Sequence, residues 1–289
     1  MLAEYANLLP DKYKSYMNVP LIRQFFNSLD VHLIKEQRLF KKTKRSRRTS
    51  LKKVDSQTVF TDTINEYSKE LKELISLNTQ KSFEVSQTLD SSYPSRLIKS
   101  REGVSQDEYE QKFKVLKEKQ DKLVQFGLSE ESQKVLEYSK EDSKALFIYL
   151  SDLEEKISVF DELVEKLDLF SSILNQRRFT YKRIKIDRQK GFYFETYKGK
   201  LLKMNQLSSG EQHEVILLYE LIFKTSPEIL VMIDEPEISL HITWQKEFLD
   251  DLLKIIKLQK FQVIIATHSP SIINDRWDLV YSLKSKLND

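Results

Sequence analysis

Two short runs in the C-terminal third, Ile229-Leu-Val-Met-Ile233 and Val263-Ile-Ile-Ala266, contain no polar residue. A strand with one wet face alternates apolar and polar residues, because successive side chains point to opposite sides. Unalternated runs of four or five residues therefore predict strands covered on both faces, the pattern of a parallel sheet. A helix-like stretch precedes each run, Glu211 to Lys224 and Ile242 to Leu258, and each is long enough to lie over such a sheet. The expected class is α/β, with chemistry at the carboxyl ends of the strands.

Upstream the chain is helical. Only 5 glycines and 6 prolines occur in 289 residues, where average usage would supply roughly 20 and 14. Few tight turns are available, so long helices are expected, here from about Thr61 to Gln176. Leu146, Leu150, Leu153, Ile157, Phe160, Val164, Leu167 and Leu174 follow alternating steps of four and three, with Ser171 in one slot. That spacing fits either an antiparallel helical hairpin or coiled coil, or an ordinary helical subdomain. Tyr109, Phe113, Leu116 and Leu123 mark a candidate partner helix, and Ser91-Ser92-Tyr93-Pro94 predicts a break. From Phe179 the period becomes two, so Tyr181 to Ile186 and Phe192 to Thr196 read as a β-hairpin. A helix from about Pro20 to Leu29 and a strand from Val31 to Ile34 open the chain. The expected division is 1–60, 61–176 and 177–289.

Several classes drop out. With no cysteine, disulfide scaffolds, thiolate zinc sites and cysteine nucleophiles are excluded. The longest apolar run, Ala145 to Leu150, is far short of the roughly 20 residues a membrane span needs. Met1 to Tyr16 carries Glu4 and Asp11 and no apolar h-region, so a cytoplasmic protein without a membrane partner is expected. Lysine and arginine number 47 against 44 aspartates and glutamates, but the balance is uneven. Between Lys35 and Lys53 ten basic residues face one acid, Glu36. The densest part, Lys41 to Arg48, is either a solvated basic loop or a DNA contact that displaces counterions from phosphates. No aromatic interrupts it, so base stacking is not implied.

At the strand ends stand the reactive groups. Asp234 and Glu235 follow the first run, and Thr267, His268 and Ser269 follow the second. Leu207-Ser208-Ser209-Gly210-Glu211-Gln212 opens a helix, with Ser209 and Gln212 expected to form the capping box. Exposed N–H groups beside Gly210 and the helix dipole would suit an anion. A single strand-end histidine is by itself more often structural than catalytic. His32 reads as structural, and His213 and His241 lack metal-ligand spacing.

Order and spacing give these pieces a joint meaning. Gly210 precedes Asp234 by 24 residues, and Glu235 precedes His268 by 33, each interval holding the helix and strand needed to bring them side by side. The set resembles the second half of an ABC-type ATPase: Leu207 to Gln212 the signature motif, Ile229 to Glu235 the Walker B strand, Ser239-Leu240-His241 the D-loop, His268 the switch histidine. More narrowly, Ser208 to His213, Asp234 to His241, Ala266 to Pro270 and Asp275-Arg-Trp-Asp278 resemble the bacterial overcoming-lysogenization-defect family and the ATPases of the Septu, PARIS and retron-associated anti-phage systems. The resemblance implies a P-loop NTPase sheet lobe with an inserted helical region, ATP and Mg²⁺ as cofactors, and a head-to-tail dimer. Asp234 would hold Mg²⁺ through water, Glu235 would orient the attacking water, and His268 would meet the γ-phosphate. Ser208, Ser209, Gly210, Glu211, Gln212 and Ser239 would serve nucleotide binding, Ser209 and Gly210 on the opposite subunit's ATP. Gln37 is a candidate Q-loop glutamine.

One piece is missing from this sequence. G-x-x-x-x-G-K-[ST], which cradles phosphates, occurs nowhere. Gly199-Lys200 is followed by Leu201, and Phe194 stands where the first glycine belongs. Either Met1 is an internal start, or the chain is a natural half completed by a Walker A-containing subunit. Only 21 residues follow His268, too few for the nuclease of the full family architecture, so an effector nuclease would be another chain. The expected function is ATP binding and hydrolysis within a defence or DNA-associated complex. The alternatives are a non-hydrolysing dimerisation module and a DNA-repair type ATPase.

Overall fold

The computed structural model describes residues 30–34, 40–46, 56–130, 136–179 and 181–281, with positions 20 and 24. The rest of the expected helix from Pro20 to Leu29 lies outside the described residues, as do Gln37, Arg47 and Arg48. Two compact units form, Met1–Thr63 with Leu207–Asp289, and Ile64–Gln206. Among the described residues no helix is long and apolar enough to cross a membrane.

In the first unit, β1 (Val31–Ile34), β7 (Leu230–Asp234) and β8 (Gln262–Ala266) form a parallel sheet in the order β1-β7-β8. Leu33 pairs with Met232, and Met232 with Ile264. Parallel neighbours need crossovers, and helices supply them: α5 (Ser209–Phe223) before β7, and α6 (Ile242–Gln259) between β7 and β8. α5 is apolar almost all round, and Val215, Ile216, Leu217, Leu221 and Ile222 are fully buried, as such a helix requires. α6 buries one stripe, Phe248, Leu252 and Ile255. Its C-terminal end is tied to α5 by Gln259, whose Nε2 donates to the Ile222 carbonyl at 2.8 Å.

The parallel sheet is as expected, but its burial is one-sided. Val231 and Ile233 are buried, whereas Met232 and Ile264 are 38% and 53% exposed. Register puts Leu33, Met232 and Ile264 in one row across that open face. An apolar run reports that both faces suit a dry environment; it does not report whether this chain supplies both covers. The basic segment also differs from a loop. β2 (Phe40–Ser46) pairs antiparallel with β3 (Ser56–Asp62), Lys42 opposite Phe60 and Lys44 opposite Thr58.

The second unit starts with α1 (Thr63–Lys99), which runs unbroken through Pro94. Proline removes the N–H that would reach the Asp90 carbonyl, so a break was the local expectation. Around it, Ser91 and Ser92 hydroxyls donate to the Thr88 and Leu89 carbonyls at 2.9 and 3.1 Å. Arg96 donates to the Leu89 carbonyl at 2.8 Å and grips Asp152 with both terminal nitrogens. This tertiary anchor outweighs the local signal. α2 (Gln106–Gln125) opens on a capping box of Ser105 and Glu108 and buries Tyr109, Phe113, Leu116 and Leu123, the expected stripe.

Two helices, α3 (Ser143–Ser158) and α4 (Asp161–Ile173), carry the heptad stripe, although its uninterrupted four-three spacing would also suit one. Past the joint at Val159–Phe160 the stripe's Leu167 and Leu174 stay buried, Leu163, Phe170 and Ile173 are buried beside them, and Val164 is half-exposed. Asp161 starts α4 at the end of a helix that favours carboxylates, and both its oxygens accept from Lys119 at 2.9 and 2.8 Å. Partner direction is the correction. Val104 N–H donates to the Ser143 carbonyl, Lys119 meets Asp161 and Lys122 meets Asp168, so α2 runs parallel to α3 and α4. The antiparallel neighbour of α3 is α1, through Arg96–Asp152 and Lys156–Asp90. A heptad stripe defines a seam without defining its partner's direction.

The predicted hairpin is present as β4 (Lys182–Asp187) and β5 (Gly191–Thr196), extended by β6 (Leu201–Leu202). It belongs to the helical unit, whereas the expected division grouped it with the C-terminal lobe. Phe192 and Phe194 are fully buried, with Phe170 and Phe179 set edge-on to them at 5.8 and 5.3 Å. Ser68 of α1 lies beneath the turn, its hydroxyl 2.8 and 2.7 Å from the Lys190 and Phe192 carbonyls.

Candidate active site at the ends of β7 and β8

β7 delivers Asp234, exposed, at the lip of the sheet. The next residue, Glu235, has φ 42° and ψ 59°, left-handed for a residue with a Cβ. Such a conformation costs roughly 1–2 kcal/mol and persists only where its surroundings hold it. Here the Glu235 N–H donates to the Ala266 carbonyl at 2.9 Å, continuing the β7–β8 ladder past the strand. The kink turns the chain into the short 3₁₀ turn Pro236–Ser239, with Pro236 at its first position. Ser239 closes that turn.

β8 delivers Thr267, His268 and Ser269. His268 Nε2 lies 3.7 Å from Glu235 Oε1, with the imidazole 92% exposed and the carboxylate 34%. That distance exceeds a hydrogen bond, and a pair this open to water contributes little stability. The two side chains share a space that a reacting group could enter. Behind them the structure is tightly bonded. Glu237 Oε1 accepts from the Thr267 hydroxyl at 2.7 Å and from the His268 N–H at 2.8 Å. Its other oxygen is buried without a partner among the described residues. Gln245 of α6 donates to the Glu237 and Leu240 carbonyls at 3.2 and 3.1 Å and accepts from the Ser269 hydroxyl at 3.0 Å. Glu237, Thr267, Gln245 and Ser269 carried no assignment from sequence. Glu237 stands inside the Asp234-Glu-Pro-Glu motif, but a contact 30 residues along the chain leaves no local trace.

At the start of α5 the capping box sits one residue earlier than expected. Ser208, not Ser209, is the N-cap: its hydroxyl accepts from the Glu211 N–H at 3.3 Å, and Glu211 Oε2 accepts from the Ser208 N–H at 2.7 Å. Both pairs, Ser208–Glu211 and Ser209–Gln212, satisfy the three-residue spacing, so spacing alone does not choose. Gln212 donates instead to the Leu207 carbonyl at 3.0 Å. The box leaves the N–H groups of Ser209 and Gly210 outside it, at the positive end of the helix dipole. α5 also packs against the Pro236–Ser239 turn. Beyond α7 (Pro270–Ile273), Arg276 forks onto Asp278 at 3.2 and 3.3 Å; this bond holds the Asp278 carboxyl below its usual range and raises the guanidinium.

A family model, the AAA ATPase domain, matches residues 5–273. The chain belongs to the AAA ATPase domain family. The match spans both units and ends five residues past His268, so every strand-end group described above lies inside the AAA ATPase domain. Among curated proteins none matches it. Among solved structures it is similar, at 16% identity and a TM-score of 0.31, to the Smc head domain with an extended coiled coil bound to the C-terminal domain of ScpA, from Pyrococcus furiosus. That similarity covers 73% of this AAA ATPase domain chain and half the length of the other.

The donor set fits the family's nucleotide and metal in part. Mg²⁺ takes hard oxygen ligands and is commonly held by one or two carboxylates plus substrate phosphates. Asp234 offers such a carboxylate, and no cluster of three or more metal-ligating side chains occurs among the described residues. The Ser209 and Gly210 N–H groups at the helix N-terminus suit an anion.

Proposed function

We propose that this chain is the signature and Walker B part of an ATP-binding and -hydrolysing ABC-type ATPase, acting as a dimer in an anti-phage or other DNA-associated complex. The observation that carries the reading is the strained, ladder-anchored Glu235 beside Asp234, with His268 3.7 Å away on the neighbouring strand end. ATP supplies the phosphoryl group and Mg²⁺ offsets its charge. Asp234 would hold the metal through water, and Glu235 would orient and polarise the attacking water. His268 would donate toward the terminal phosphate, a division of labour in which positioning and charge neutralisation dominate. Ser208 and Glu211 preorganise the α5 N-terminus so that Ser209 and Gly210 present their N–H groups to the nucleotide of the opposite subunit. The exposed Met232 and Ile264, side by side across the sheet, support docking of a segment that brings the phosphate-cradling loop, on this polypeptide or on another.

The absence of G-x-x-x-x-G-K-[ST] from this sequence favours one second reading, a dimerisation module that does not hydrolyse ATP. Thermal unfolding separates them. A site at 100 times its dissociation constant stabilises a fold by about 2.7 kcal/mol. The expected result in millimolar Mg-ATP is no shift for this chain alone and a clear one once a phosphate-loop segment is supplied. In that assembly Glu235→Gln keeps ATP binding and lowers hydrolysis on the order of 10²–10⁴-fold. Unchanged turnover in Glu235→Gln overturns the assignment, and an assembly that binds without hydrolysing supports the module.

A further inference from the structure

We propose that Glu237 is the positioning residue for His268, a role that rests on the ATPase reading above. Its Oε1 takes two hydrogen bonds from the neighbouring strand end, the Thr267 hydroxyl at 2.7 Å and the His268 N–H at 2.8 Å. Thr267 Oγ1 in turn accepts from the Ser269 N–H at 3.0 Å. One carboxylate oxygen therefore organises three consecutive residues around the histidine. Bonds to a charged acceptor are shorter and stronger than neutral ones, which suits a clamp on an imidazole that is itself 92% exposed. With the ring so exposed, its position follows the backbone that Glu237 grips.

The clamp also joins two segments. Glu237 lies in the Pro236–Ser239 turn, which starts at strained Glu235. Gln245 ties that turn's carbonyls to the Ser269 hydroxyl from the other side. Glu235 and His268 are therefore fixed relative to each other by Glu237 as well as by the ladder bond from Glu235 N–H to the Ala266 carbonyl. A displacement of the turn, for instance by a second copy pressing on it, would reach the histidine through this carboxylate.

The chain has four histidines, so selective ¹⁵N-histidine labelling yields four backbone amides, and His268→Gln assigns one of them. In Glu237→Ala the His268 amide is expected to exchange with solvent about tenfold to a hundredfold faster, the factor carried by a bond to a charged group. The His213 amide in α5 stays as it was. Glu237→Gln, which retains an acceptor oxygen, restores most of the protection. Unchanged His268 exchange in Glu237→Ala overturns the proposal, and so does an equal acceleration at all the histidines, which would mean general destabilisation. The functional arm uses the assembly supplied with a phosphate-loop segment. There Glu237→Ala lowers kcat at least tenfold with KM unchanged, and Glu237→Gln recovers part of it. If that assembly hydrolyses ATP and Glu237→Ala leaves kcat intact, the positioning role fails while the ATPase reading stands. If the wild-type assembly does not hydrolyse ATP, the ATPase reading fails, and the amide data still report the clamp.

Discussion

Gly191 and Gly199 share a backbone conformation, φ +78° and +79°, and differ only in what surrounds them. A Cβ on Gly191 would stand 1.8 Å from the Ser68 carbonyl oxygen, 2.8 Å from its carbon and 3.1 Å from the Lys72 nitrogen; a Cβ on Gly199 meets nothing within 4 Å. All three neighbours of Gly191 are helix backbone, which cannot rotate aside. Gly199→Ala therefore pays only for left-handed backbone, about 1–2 kcal/mol. Gly191→Ala carries that term plus the overpacking term, typically 1–3 kcal/mol, and it forces β5 away from α1. The withdrawal also breaks the Ser68 contacts with the Lys190 and Phe192 carbonyls, adding about 1 kcal/mol. The sums are roughly 3–6 kcal/mol against 1–2. At about 2–4 °C per kcal/mol for a fold of this size, the midpoint should fall on the order of 10 °C for Gly191→Ala and a few degrees for Gly199→Ala. Thermal melts followed by far-ultraviolet circular dichroism, with near-ultraviolet signals from the aromatic cluster, measure both. Equal shifts in the two variants would refute the claim that the hairpin is seated directly on the α1 backbone.

Two further outcomes are expected. If the basic hairpin contacts nucleic acid, reversing the charges of Lys41, Lys42, Lys44 and Arg45 should abolish most duplex DNA binding and flatten its log–log salt dependence by about 0.9 per lost phosphate contact; equal binding at two salt concentrations by wild type and variant would return the hairpin to a solvated role. The Ser105 N–H and hydroxyl hold the Glu108 carboxyl below its ordinary pKa. A depressed carboxylate stabilises α2 above the unfolded pKa and loses that contribution as pH falls through the folded one, so the Ser105 amide should keep its exchange protection as pH falls through 4.5, the ordinary value, and lose it at more acid pH; protection that is already gone above the ordinary value, or that persists to strong acid, would disprove the capping role.

Much of the lobe was legible in the chain, and the reason is local. Unalternated apolar runs mark β7 and β8 because apolar side chains on both faces of a strand leave a period-free signature, even though only one of those faces is buried, and the carboxylates and histidine follow directly at the strand ends. The β4–β5 hairpin was readable from its period of two and the Asp187–Gly191 turn. The AAA ATPase domain match extends over these segments.

What depends on partners distant in sequence was decided only by the fold. Pro94 signals a break, yet Arg96 reaching Asp152 keeps α1 whole. Heptad spacing locates the seam of α3 and α4, while ion pairs from α1 and α2 determine which neighbour runs in which direction. Two overlapping three-residue spacings compete to cap α5, and the geometry of Ser208 and Glu211 selects one. Glu237 and Thr267 become partners because parallel strands β7 and β8 end side by side, which no periodicity encodes. A sequence by itself determines which residues prefer water, apolar surroundings or a turn, since these are properties of single side chains and near neighbours. Only tertiary structure determines which distant group satisfies each donor and which face stays open, because both depend on where the chain returns.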